Sequence, residues 1–462
     1  MPSSSNDNAA AADTIAAIAT PLGQGGIAMI RLSGPQSLAI ADASFRPAGS
    51  FSKPSAAPTH TIHFGRIVRR GRVIDEALVG VMRAPRTFTR EDVVEISCHG
   101  GLLPAKLVLD TVLENGARLA GPGEFTRRAF LNGRMDLAQA EAVADLIQAR
   151  TELAAAAAQE QLAGKLSRRI HLLRDDLMKI LAHIEAHLDF PDEDIAPDTR
   201  GQLLARLQAA LGFMDELLRT ANEGRLLRRG IRAAIIGRPN VGKSSLLNQL
   251  LGQERAIVSP TPGTTRDTIE ETANVRGVPV VFIDTAGLRE AADEIEAEGV
   301  RRSRQALAAA ELILHVLDGS ELLGAFDEQL LTEYAGRKRL LVRNKADLPR
   351  RLVMPAGLAA LDVCCLSGAG VEELKDAIKE AVWAGGIPAE MLQVMINSRH
   401  EDALRRGREA AERAAAALRG QLGLELAALD LRLAANAVGE IVGKTTTEDL
   451  LDSIFSQFCI GK

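Results

Sequence analysis

The sequence predicts a multidomain α/β protein: an N-terminal α+β segment, a helical region split in two, and an α/β segment inserted between its parts. Three observations predict it. Short β-branched runs with Gly and Pro fill residues 14–125. Apolar residues at three- and four-residue spacing, typical of amphipathic helices, occur on both sides of the middle of the chain. Strand and helix patterns alternate from about residue 229 to 385, which is typical of a parallel sheet.

The composition limits the class of protein. Of 462 residues, 46% are hydrophobic and 25% are charged, as in ordinary globular proteins. The net charge of −5 means that any nucleic-acid contact must use a local basic patch. One Trp and one Tyr argue against a platform that stacks single strands on aromatic rings. The absence of a long apolar run predicts no membrane helix, and four cysteines without a CxxC motif favour a reduced, cytoplasmic protein.

The first segment is predicted to alternate strands with one helix. GGIAMIRLSG and DVVEISCHGG have the pattern of strands, and PAKLVLDTVLENGA predicts a helix that closes at Gly116. A long helix that ends before Pro191 and a second helix over residues 200–224 are predicted next. The apolar stripe of the long helix consists of Leu162, Leu166, Ile170, Leu173, Leu177, Ile180, Ile184 and Leu188.

A second apolar stripe is predicted near the other end of the chain. It consists of Leu418, Leu422, Leu426, Leu429, Leu433 and Ile441. Because helical stretches flank the α/β segment on both sides, we expect one helical domain with the α/β domain inserted into it. Four separate domains in series are the alternative.

A phosphate-binding loop is the strongest motif. The apolar run at 231–236 predicts a buried strand, GRPNVGKS follows at 237–244, and a helix pattern comes next. Gly237 and Gly242 let the backbone approach phosphates, and the loop amides attract the anion. Lys243 is expected to reach the β- and γ-phosphates, and the Ser244 hydroxyl to bind Mg2+.

Further motifs select guanine. Asp284 in the DTAG motif is expected to hold the Mg2+ shell, and Gly287 to meet the γ-phosphate. Asp347, in the NKAD motif, can accept hydrogen bonds from guanine N1–H and the exocyclic amine, which adenine cannot offer. The SGAG motif, from Ser367, can contact guanine O6 through backbone amides. The order of these motifs resembles that of GTPases.

More than one group of residues could assist GTP hydrolysis. Leu288 stands where Ras-like proteins have a water-orienting Gln, so another group must assist hydrolysis. Asn240 can offer an oxygen to a monovalent cation beside the phosphates, and a carboxylate of the run at 290–298 can orient a water. A solvated helix start is the alternative for that run. The loop at 256–267, with Thr265 as candidate Mg2+ ligand, also has the composition of a passive linker.

Four longer motifs carry a family resemblance. They are ATPLGQGGIAMIRLSG, FTREDVVEISCHGG, PGEFTRRAFLNGRMDLAQAEAVADLI and the terminal FCIGK. Together with GRPNVGKSSLLN and GTTRD, they make the chain resemble the tRNA-modification GTPases of the MnmE (TrmE) family along essentially its whole length.

The resemblance implies an architecture. The domains would be a tetrahydrofolate-binding and dimerisation domain at 1–131, the two parts of a helical domain at 132–228 and 387–462, and a Ras-like G domain at 229–386. The protein would be a homodimer whose G domains meet when GTP and K+ are bound.

The resemblance also implies an activity. With its FAD-dependent partner MnmG (GidA), in a heterotetramer-type complex, the enzyme would add an aminomethyl or carboxymethylaminomethyl group at C5 of the wobble uridine of certain tRNAs. A one-carbon folate would supply the carbon, and FAD would belong to the partner only. A GTP-dependent ribosome-assembly switch of the Era or Der kind, without modification chemistry, is the alternative.

The resemblance assigns site residues. Asn240, Ser259, Thr261 and Thr264 would bind K+, Ser244 and Thr265 would bind Mg2+, and Glu296 would orient the attacking water. The 5-formyl- or 5,10-methylene-tetrahydrofolate contacts would be Arg31, Glu95, Arg134 and Lys462. The residues expected to contact GTP are Asn240, Val241, Gly242, Lys243, Ser244, Ser245, Ser259, Pro260, Thr261, Pro262, Gly263, Thr264, Thr265, Asp284, Thr285, Ala286, Gly287, Asn344, Lys345, Ala346, Asp347, Ser367, Gly368 and Ala369.

Two cysteines and one basic cluster each allow two interpretations. Cys459 is either a catalytic thiol near the folate or the target uridine, or a small residue at a helix end. Cys98 beside His99 resembles a nucleophile–base pair, but its context favours a strand end. The RLLRRGIR cluster at 225–232 is a candidate tRNA contact, with a solvated linker as alternative.

Overall fold

The computed structural model describes residues 13–49, 53–189, 200–252, 271–283, 307–383, 394–420 and 423–462. The chain divides into two compact units. The first comprises Met1–Ala144 with Val442–Lys462, and the second comprises Asp145–Ile441.

The first unit contains a seven-stranded sheet. Its strands are β1 (Ile15–Ile18), β2 (Ile27–Ser33), β3 (Phe45–Pro47), β4 (Thr61–Arg69), β5 (Arg72–Met82), β6 (Val93–His99) and β7 (Arg118–Leu119). They lie in the order β3-β4-β5-β6-β2-β1-β7, and all neighbours are antiparallel except β1 and β7. The helices are α1 (Ser37–Ser44), α2 (Leu102–Glu114) and α3 (Glu124–Leu131), followed by α4 (Leu137–Gln148), which continues into the second unit.

The two faces of this sheet differ because successive side chains of a strand point to opposite sides. One face forms the main core, in which Ile30, Val79 and Ile96 pack with α1 and α2. The helix predicted from PAKLVLDTVLENGA is confirmed as α2. The opposite face carries Arg31 of β2, and Phe125 of α3 packs there against β1.

The second unit begins with helices. They are α5 (Glu152–Leu162), α6 (Lys165–Asp189), α7 (Arg200–Arg219) and α8 (Ala221–Arg229). The apolar stripe predicted for the long helix is confirmed from Leu166 to Ile184 on α6, where Leu188 is half-buried. Leu162 was wrongly included, because it is the last residue of α5. Pro191 lies outside the described residues.

The single helix predicted over 200–224 is wrong, because it is two helices that meet at Thr220. The Thr220 amide and hydroxyl both donate to the carbonyl of Leu217, at 2.9 and 2.7 Å. These bonds tighten the last turn of α7 and compete with the regular helical pattern. α8 then starts at Ala221.

A six-stranded sheet forms the centre of the α/β part. Its strands are β8 (Ile231–Ile236), β9 (Glu271–Val275), β10 (Val278–Phe282), β11 (Leu312–Asp318), β12 (Arg339–Asn344) and β13 (Leu361–Asp362). They lie in the order β13-β12-β11-β8-β10-β9, and only β9 is antiparallel to its neighbour. The helices are α9 (Lys243–Leu251), α10 (Ala325–Glu333) and α11 (Val371–Val382). α9 and α11 share one apolar core with the sheet, as the alternating pattern predicted.

Two long helices, α12 (Ser398–Arg419) and α13 (Leu424–Ile441), complete the second unit. They pack on each other and on α6 and α7. The chain then returns to the first unit with α14 (Glu448–Phe455), which contacts α3. Among the described helices, none is both long and apolar enough to cross a membrane.

The apolar face predicted for α13 is wrong. Leu426, Leu429 and Leu433 are 52%, 56% and 49% exposed, whereas Leu431 and the alanines of the helix are buried. Small side chains allow close approach to α12, where a Cβ on Gly407 would lie 3.2 Å from Val438 Cγ2. The alanine-rich stripe therefore forms the contact, and the leucine stripe lies outside it. Leu418 and Ile441 are buried, and Leu422 lies outside the described residues.

Candidate functional site

One edge of the second sheet gathers most of the described nucleotide-site motifs. β8, β10, β11 and β12 run parallel, so their carboxyl ends meet at the same edge, where ligands bind in open α/β sheets. The strand predicted at 231–236 is confirmed as β8 and leads into the loop 237–242. β11 ends at Asp318 and β12 ends at Asn344.

The backbone of the loop 237–242 requires glycine at two positions. Gly237 and Gly242 have φ of 146° and 98°. A Cβ on Gly237 would lie 2.3 Å from the Val316 carbonyl oxygen, and one on Gly242 would lie 2.1 Å from Asn344 Nδ2. α9 starts directly after Gly242, so its first amides face the loop. This strand–loop–helix arrangement can bind a phosphate.

Lys243 places its charge inside the same loop. Its Nζ donates to the carbonyl oxygens of Gly237 and Arg238, at 2.9 and 2.7 Å. Burial lowers the pKa of the ammonium below its usual value. Carbonyl groups thus hold a cation at the position from which it can reach a phosphate group.

Asn344 connects the phosphate loop to the opposite end of the site. Its buried carboxamide donates from Nδ2 to the Val241 carbonyl at 2.8 Å, and its Oδ1 accepts from the Cys365 amide at 3.1 Å. Gln249 of α9 adds a hydrogen bond from Nε2 to the Cys365 carbonyl, at 2.8 Å. Loop 237–242 and the segment after β13 are therefore fixed by one side chain.

The neighbouring ion pair orients the NKAD segment. Lys345 Nζ lies 2.5 Å from Asp318 Oδ2, and the Asp318 side chain is buried. Burial alone would raise the pKa of Asp318, but hydrogen bonds from Lys345 and Ser320 hold it below its usual value. The segment is therefore fixed by a charged pair whose stability requires an ionised Asp318.

The base-recognising candidates lie beyond this pair. Asp347 is exposed, and its Oδ1 accepts a hydrogen bond from the Cys364 thiol at 3.1 Å. Ser367, Gly368 and Ala369 form a turn in which the Gly368 amide donates to the Cys364 carbonyl at 2.8 Å. Ser245 and Ala346 are exposed in the same part of the fold.

Sequence reasoning missed Cys364 and Cys365 as parts of this site. At the level of sequence, the cysteines indicate only a reduced protein. The available signal was their position after Val363, one residue beyond β13, which is parallel to β12. Cys365 contributes its amide, while burial and the neighbouring Cys364 raise the pKa of its thiol to about 11.

Several predicted residues lie outside the described residues. They are Ser259, Pro260, Thr261, Pro262, Gly263, Thr264, Thr265, Asp284, Thr285, Ala286, Gly287 and Glu296. Of the predicted cation ligands, Asn240 is exposed with φ of 61°, and Ser244 is half-buried at the start of α9.

A second group of predicted residues meets in the first unit. Arg31 and Glu95 face each other across the β2–β6 pair. Arg31 donates from Nε to Glu95 Oε1 at 2.8 Å, and its Nη2 lies 2.8 Å from the same oxygen. Its Nη1 donates to the Gly461 carbonyl at 3.2 Å, so the segment 459–462 closes on this pair.

The fold forces glycine at 461. Gly461 has φ of 99°, and a Cβ there would lie 2.6 Å from the Ile18 carbonyl oxygen. Burial and the nearby Arg31 lower the pKa of the Lys462 side chain, while Glu95 opposes this shift. The structure therefore brings Arg31, Glu95 and Lys462 together.

The aromatic rings of Phe88 and Phe125 connect Arg134 to this group. Its Nη1 donates to the Phe88 carbonyl at 2.9 Å, and its guanidinium stacks 4.8 Å from the Phe88 ring centroid. Phe88 packs in the cluster of Phe125, and the Arg31 guanidinium lies 5.8 Å from the Phe125 ring centroid. Burial and the nearby Arg90 lower the pKa of Arg134.

The two single cysteines differ in exposure. Cys459 is exposed, and its carbonyl accepts from the amides of Gly123 and Lys462, at 3.4 and 3.3 Å. Cys98 is buried in the sheet core, and burial raises its pKa to about 11. His99 is exposed and pairs with Asp75, 2.6 Å away. The Cys98–His99 pair is therefore not a nucleophile–base pair, because the two side chains lie on opposite faces of β6.

The basic cluster at 225–232 is partly neutralised. Arg228 is paired with Asp145, and Arg225 donates to Asn222 Oδ1 at 2.6 Å. Arg229 and Arg232 are exposed.

Comparisons with known proteins cover almost the entire chain. Residues 137–459 match the family described as MnmE helical domain, and residues 14–134 match the family described as GTP-binding protein TrmE N-terminus. The chain is 49% identical over 460 residues to the tRNA modification GTPase MnmE of Geobacillus kaustophilus, covering 97% of this chain and 99% of the relative. It is 49% identical over 457 residues to the protein of the same name from Chloroflexus aurantiacus, covering 97% of this chain and 100% of the relative.

Among solved structures, Aquifex aeolicus Era bound to GDP.AlF4- is 26% identical, with 39% of this chain and 66% of that chain covered and a TM-score of 0.25. The near full-length identity to the MnmE proteins is far more extensive. The chain therefore belongs to the MnmE family of tRNA modification GTPases.

Proposed function

We propose that this protein hydrolyses GTP and that hydrolysis serves the modification of the wobble uridine of tRNA. One observation carries the proposal. The phosphate loop and the NKAD segment are joined by Asn344 at one sheet edge, in a chain that aligns with MnmE relatives over nearly its whole length. The match of residues 14–134 to the TrmE N-terminus does not favour an Era- or Der-like switch.

Within this proposal the chain's own residues divide the work on GTP. Lys243 neutralises charge on the β- and γ-phosphates, and Asp347 accepts from guanine N1–H and the exocyclic amine. Glu296 orients the attacking water. Leu288, which stands at the position of the water-orienting Gln of Ras-like proteins, has no hydrogen-bonding group for this role. In the Ser367–Ala369 turn the Ser367 amide would be offered to guanine O6, because the Gly368 and Ala369 amides donate within the protein.

The proposed cation ligands are residues whose side chains carry oxygen atoms. Asn240 would hold K+ together with Ser259, Thr261 and Thr264, and Ser244 would hold Mg2+ with Thr265. Asn240 fits, since its carboxamide is exposed on the phosphate loop. Bound K+ would supply positive charge beside the phosphates.

The first unit is proposed to bind a tetrahydrofolate. The donor set fits the ligand, since Arg31 and Lys462 offer cationic donors, and Glu95 offers a carboxylate to the pterin amine and ring N–H. Arg134 would contact the ligand from the neighbouring aromatic layer. 5-Formyl- or 5,10-methylene-tetrahydrofolate is the proposed form, and Cys459 is a proposed participant because its thiol is exposed beside Lys462.

The proposed partners are a second copy of this chain, MnmG (GidA) and tRNA. An apolar patch on the Arg31 face of the first sheet supports the homodimer, because Ile62, Phe64 and Leu78 are 72%, 48% and 44% exposed. Exposed apolar patches mark interaction surfaces. FAD belongs to MnmG in this scheme, in a heterotetramer-type complex in the cytoplasm.

The domain division is proposed as expected from the sequence. It comprises the folate-binding domain at 1–131, the helical parts at 132–228 and 387–462, and the G domain at 229–386. The family matches at 14–134 and 137–459 support a boundary near residue 135.

The decisive experiment profiles modified nucleosides of tRNA from cells with and without the gene. Loss of the aminomethyl-type wobble uridine on deletion, and its return with the wild-type gene, is expected. Unchanged wobble uridines would remove the modification role.

A second experiment tests the hydrolytic scheme. Purified protein should hydrolyse GTP faster in K+ than in Na+, and Glu296→Ala should lose hydrolysis at unchanged GTP affinity. Glu298→Ala, in the same acidic run, is the control and should behave as the wild type. Equal rates in both salts would remove the K+ assignment.

A further inference from the structure

One edge of the second sheet carries basic residues that the proposed GTP site does not use. β8, β11 and β12 run parallel, so their amino ends lie at the edge opposite the phosphate loop. Arg229 lies two residues before β8, and Arg232 is the second residue of that strand. Arg337 and Lys338 directly precede β12. All four side chains are exposed, and we call these residues the basic edge.

Backbone hydrogen bonds hold the parts of the basic edge beside one another. The Glu311 amide donates to the Arg232 carbonyl at 2.8 Å, which joins the start of β11 to β8. The Ile313 amide donates to the Lys338 carbonyl at 3.0 Å, which joins β11 to the segment before β12. The backbones of Arg232 and Lys338 are thus two strand spacings apart, or about 10 Å.

The positive charges of the basic edge are only partly balanced. Arg337 donates from Nη2 to the carbonyl oxygens of Leu307 and Ala310, at 3.1 and 2.6 Å, and these neutral partners leave its charge in place. Arg229 and Lys338 have no carboxylate partner among the residues that the structure describes.

Two carboxylates of the described residues are bonded at the same edge. Glu311 Oε2 accepts from the Arg232 amide at 3.1 Å. Glu333 Oε1 accepts from the Tyr334 hydroxyl at 2.9 Å, and the Tyr334 carbonyl accepts from the Arg337 amide at 3.2 Å. The four cations outnumber these carboxylates, so the edge is locally positive in a chain whose net charge is −5.

The start of the neighbouring strand β10 differs in this respect. Arg276, two residues before β10, is 2.9 Å from Glu372 and 2.6 Å from Asp376. Two carboxylates therefore balance this arginine, whereas Arg229 and Lys338 keep their charges open to solvent.

We propose that the basic edge binds the phosphate backbone of tRNA. The inference rests on the proposed function, because it assumes that tRNA is a partner of this protein. Guanidinium and ammonium groups are the side chains that pair with phosphates, and RNA offers a regular row of them. RNA is favoured over an acidic protein because the chain belongs to a family of tRNA modification GTPases.

The contact should hold the tRNA without reading its sequence. Tyr334, the single tyrosine of the chain, is half-buried at this edge, and its hydroxyl donates to Glu333. Phosphate pairing rather than base stacking is therefore expected, and phosphate contacts position a nucleic acid without specifying bases. Loss of a basic-edge cation should weaken the binding of substrate and non-substrate tRNAs by the same factor.

The experiment measures tRNA binding to the full-length protein by fluorescence anisotropy over a series of salt concentrations. The logarithm of the affinity falls linearly with the logarithm of the salt concentration, with a slope set by the number of neutralised phosphates. The variants are Arg229→Ala, Lys338→Ala and the double variant. Arg419→Ala, at an exposed arginine that ends α12, is the control for loss of one positive charge. Glu311→Gln removes an opposing charge and keeps an acceptor for the Arg232 amide.

Each single substitution should reduce the magnitude of the salt slope by about 1, and the double substitution by about 2. Arg419→Ala should keep the wild-type slope. Glu311→Gln should bind tRNA more tightly than the wild type, a gain that a damaged fold would not produce. Wild-type slopes in both single variants and the double variant would overturn the proposal. An equal reduction in Arg419→Ala would also overturn it, because the effect would then reflect total charge.

Failure of the underlying function gives a different result. If the wild-type protein hydrolysed GTP but did not bind tRNA, the tRNA role in the proposed function would be wrong, and the basic edge would lose its ligand with it. If the wild type binds tRNA and the basic-edge variants keep its slope, the tRNA role stands and this surface is wrong. Displacement of labelled tRNA by poly-glutamate as effectively as by unlabelled tRNA would favour an acidic protein as the partner and overturn the proposal.

Discussion

The two candidate sites hold a basic side chain in similar ways but assemble it from very different parts of the chain. Lys243 is held by carbonyl groups six and five residues earlier. Arg31 is held by Glu95, 64 residues away, and by Gly461, 430 residues away. The first site is a local loop that a short motif can encode, whereas the second exists only after the sheet has formed and the segment 459–462 has returned to it.

The largest effect is expected for Lys243→Ala, which tests whether the local site works by itself. Removal of the ammonium should lower kcat/KM for GTP hydrolysis at least about 100-fold, because a charge at the phosphates is lost. Binding of 5-formyl-tetrahydrofolate should not change. Lys338→Ala, an exposed lysine before β12, is the control in the same assays. A folate defect in Lys243→Ala would contradict the independence of the sites.

Asp347→Asn tests the base end of the local site. An amide can donate to the O2 of xanthine, whereas it cannot accept both guanine donors, so preference should move from GTP toward XTP. The ratio of the two affinities should change about 100-fold. Competition binding measures this ratio, with Asp376→Asn on α11 as the control. Retained GTP preference would show that another group reads the base.

Gly461→Ala tests the non-local site. The added Cβ meets Ile18, and φ of 99° is strained for alanine, so the segment 459–462 should dock poorly. Affinity for 5-formyl-tetrahydrofolate should fall about tenfold. Gly116→Ala is a close control, because Gly116 also has a positive φ of 112° but nothing within 4 Å of its Cβ position. Equal folate affinity of the two variants would show that the segment 459–462 does not contribute to folate binding.

Acid should weaken the second unit through Asp318. Its pKa in the folded protein is depressed below 3.8, so its stabilisation is present above that value and is lost as the pH falls through the folded pKa. Asp318→Asn should lose about 1 kcal/mol near pH 6, because its Lys345 partner is partly exposed, and should show a flatter acid dependence. Thermal unfolding between pH 6 and 3 measures both. If the stability of the wild type and the variant fell in parallel with pH, the ion pair of Asp318 and Lys345 would not be the cause of the acid sensitivity.

The smallest effect is expected on the exposed leucine face of α13, and a substitution on the buried face of the same helix is the contrast. Leu429→Gln should change the free energy of unfolding by less than about 0.5 kcal/mol, because the side chain is exposed. Leu431→Ala should cost about 2–5 kcal/mol, because Leu431 is fully buried. Urea unfolding compares the two variants. A larger loss for Leu429→Gln would restore the leucine face that the spacing predicted.

The same distinction explains what the sequence could predict. The strand β8, the loop 237–242 and the helix α9 follow from glycines, a lysine and local periodicity, and all three were predicted. The contact between Cys364 and Asp347 was missed, because it joins residues that follow two different strands, β13 and β12, whose pairing no local pattern encodes. Arg31 and Glu95 were connected only through a family resemblance, since a residue of each type alone resembles a surface charge.

The face of α13 shows the same limit in the fold. Leucines at regular spacing predict that their own side of the helix is buried, but the side that is buried depends on the neighbouring helix. Gly407 on α12 permits close approach, and this favours the alanine side of α13. The face of α13 that is buried is therefore determined by α12, which lies elsewhere in the sequence.

The return of Gly461 to Arg31 also has a consequence for biosynthesis. Because 430 positions separate the two residues, the ribosome must add all of them before the carbonyl that caps Arg31 exists. A nascent chain therefore presents Arg31 with an incomplete set of neighbours until Gly461 has been synthesised. A chain truncated before Gly461 would lack this cap on Arg31.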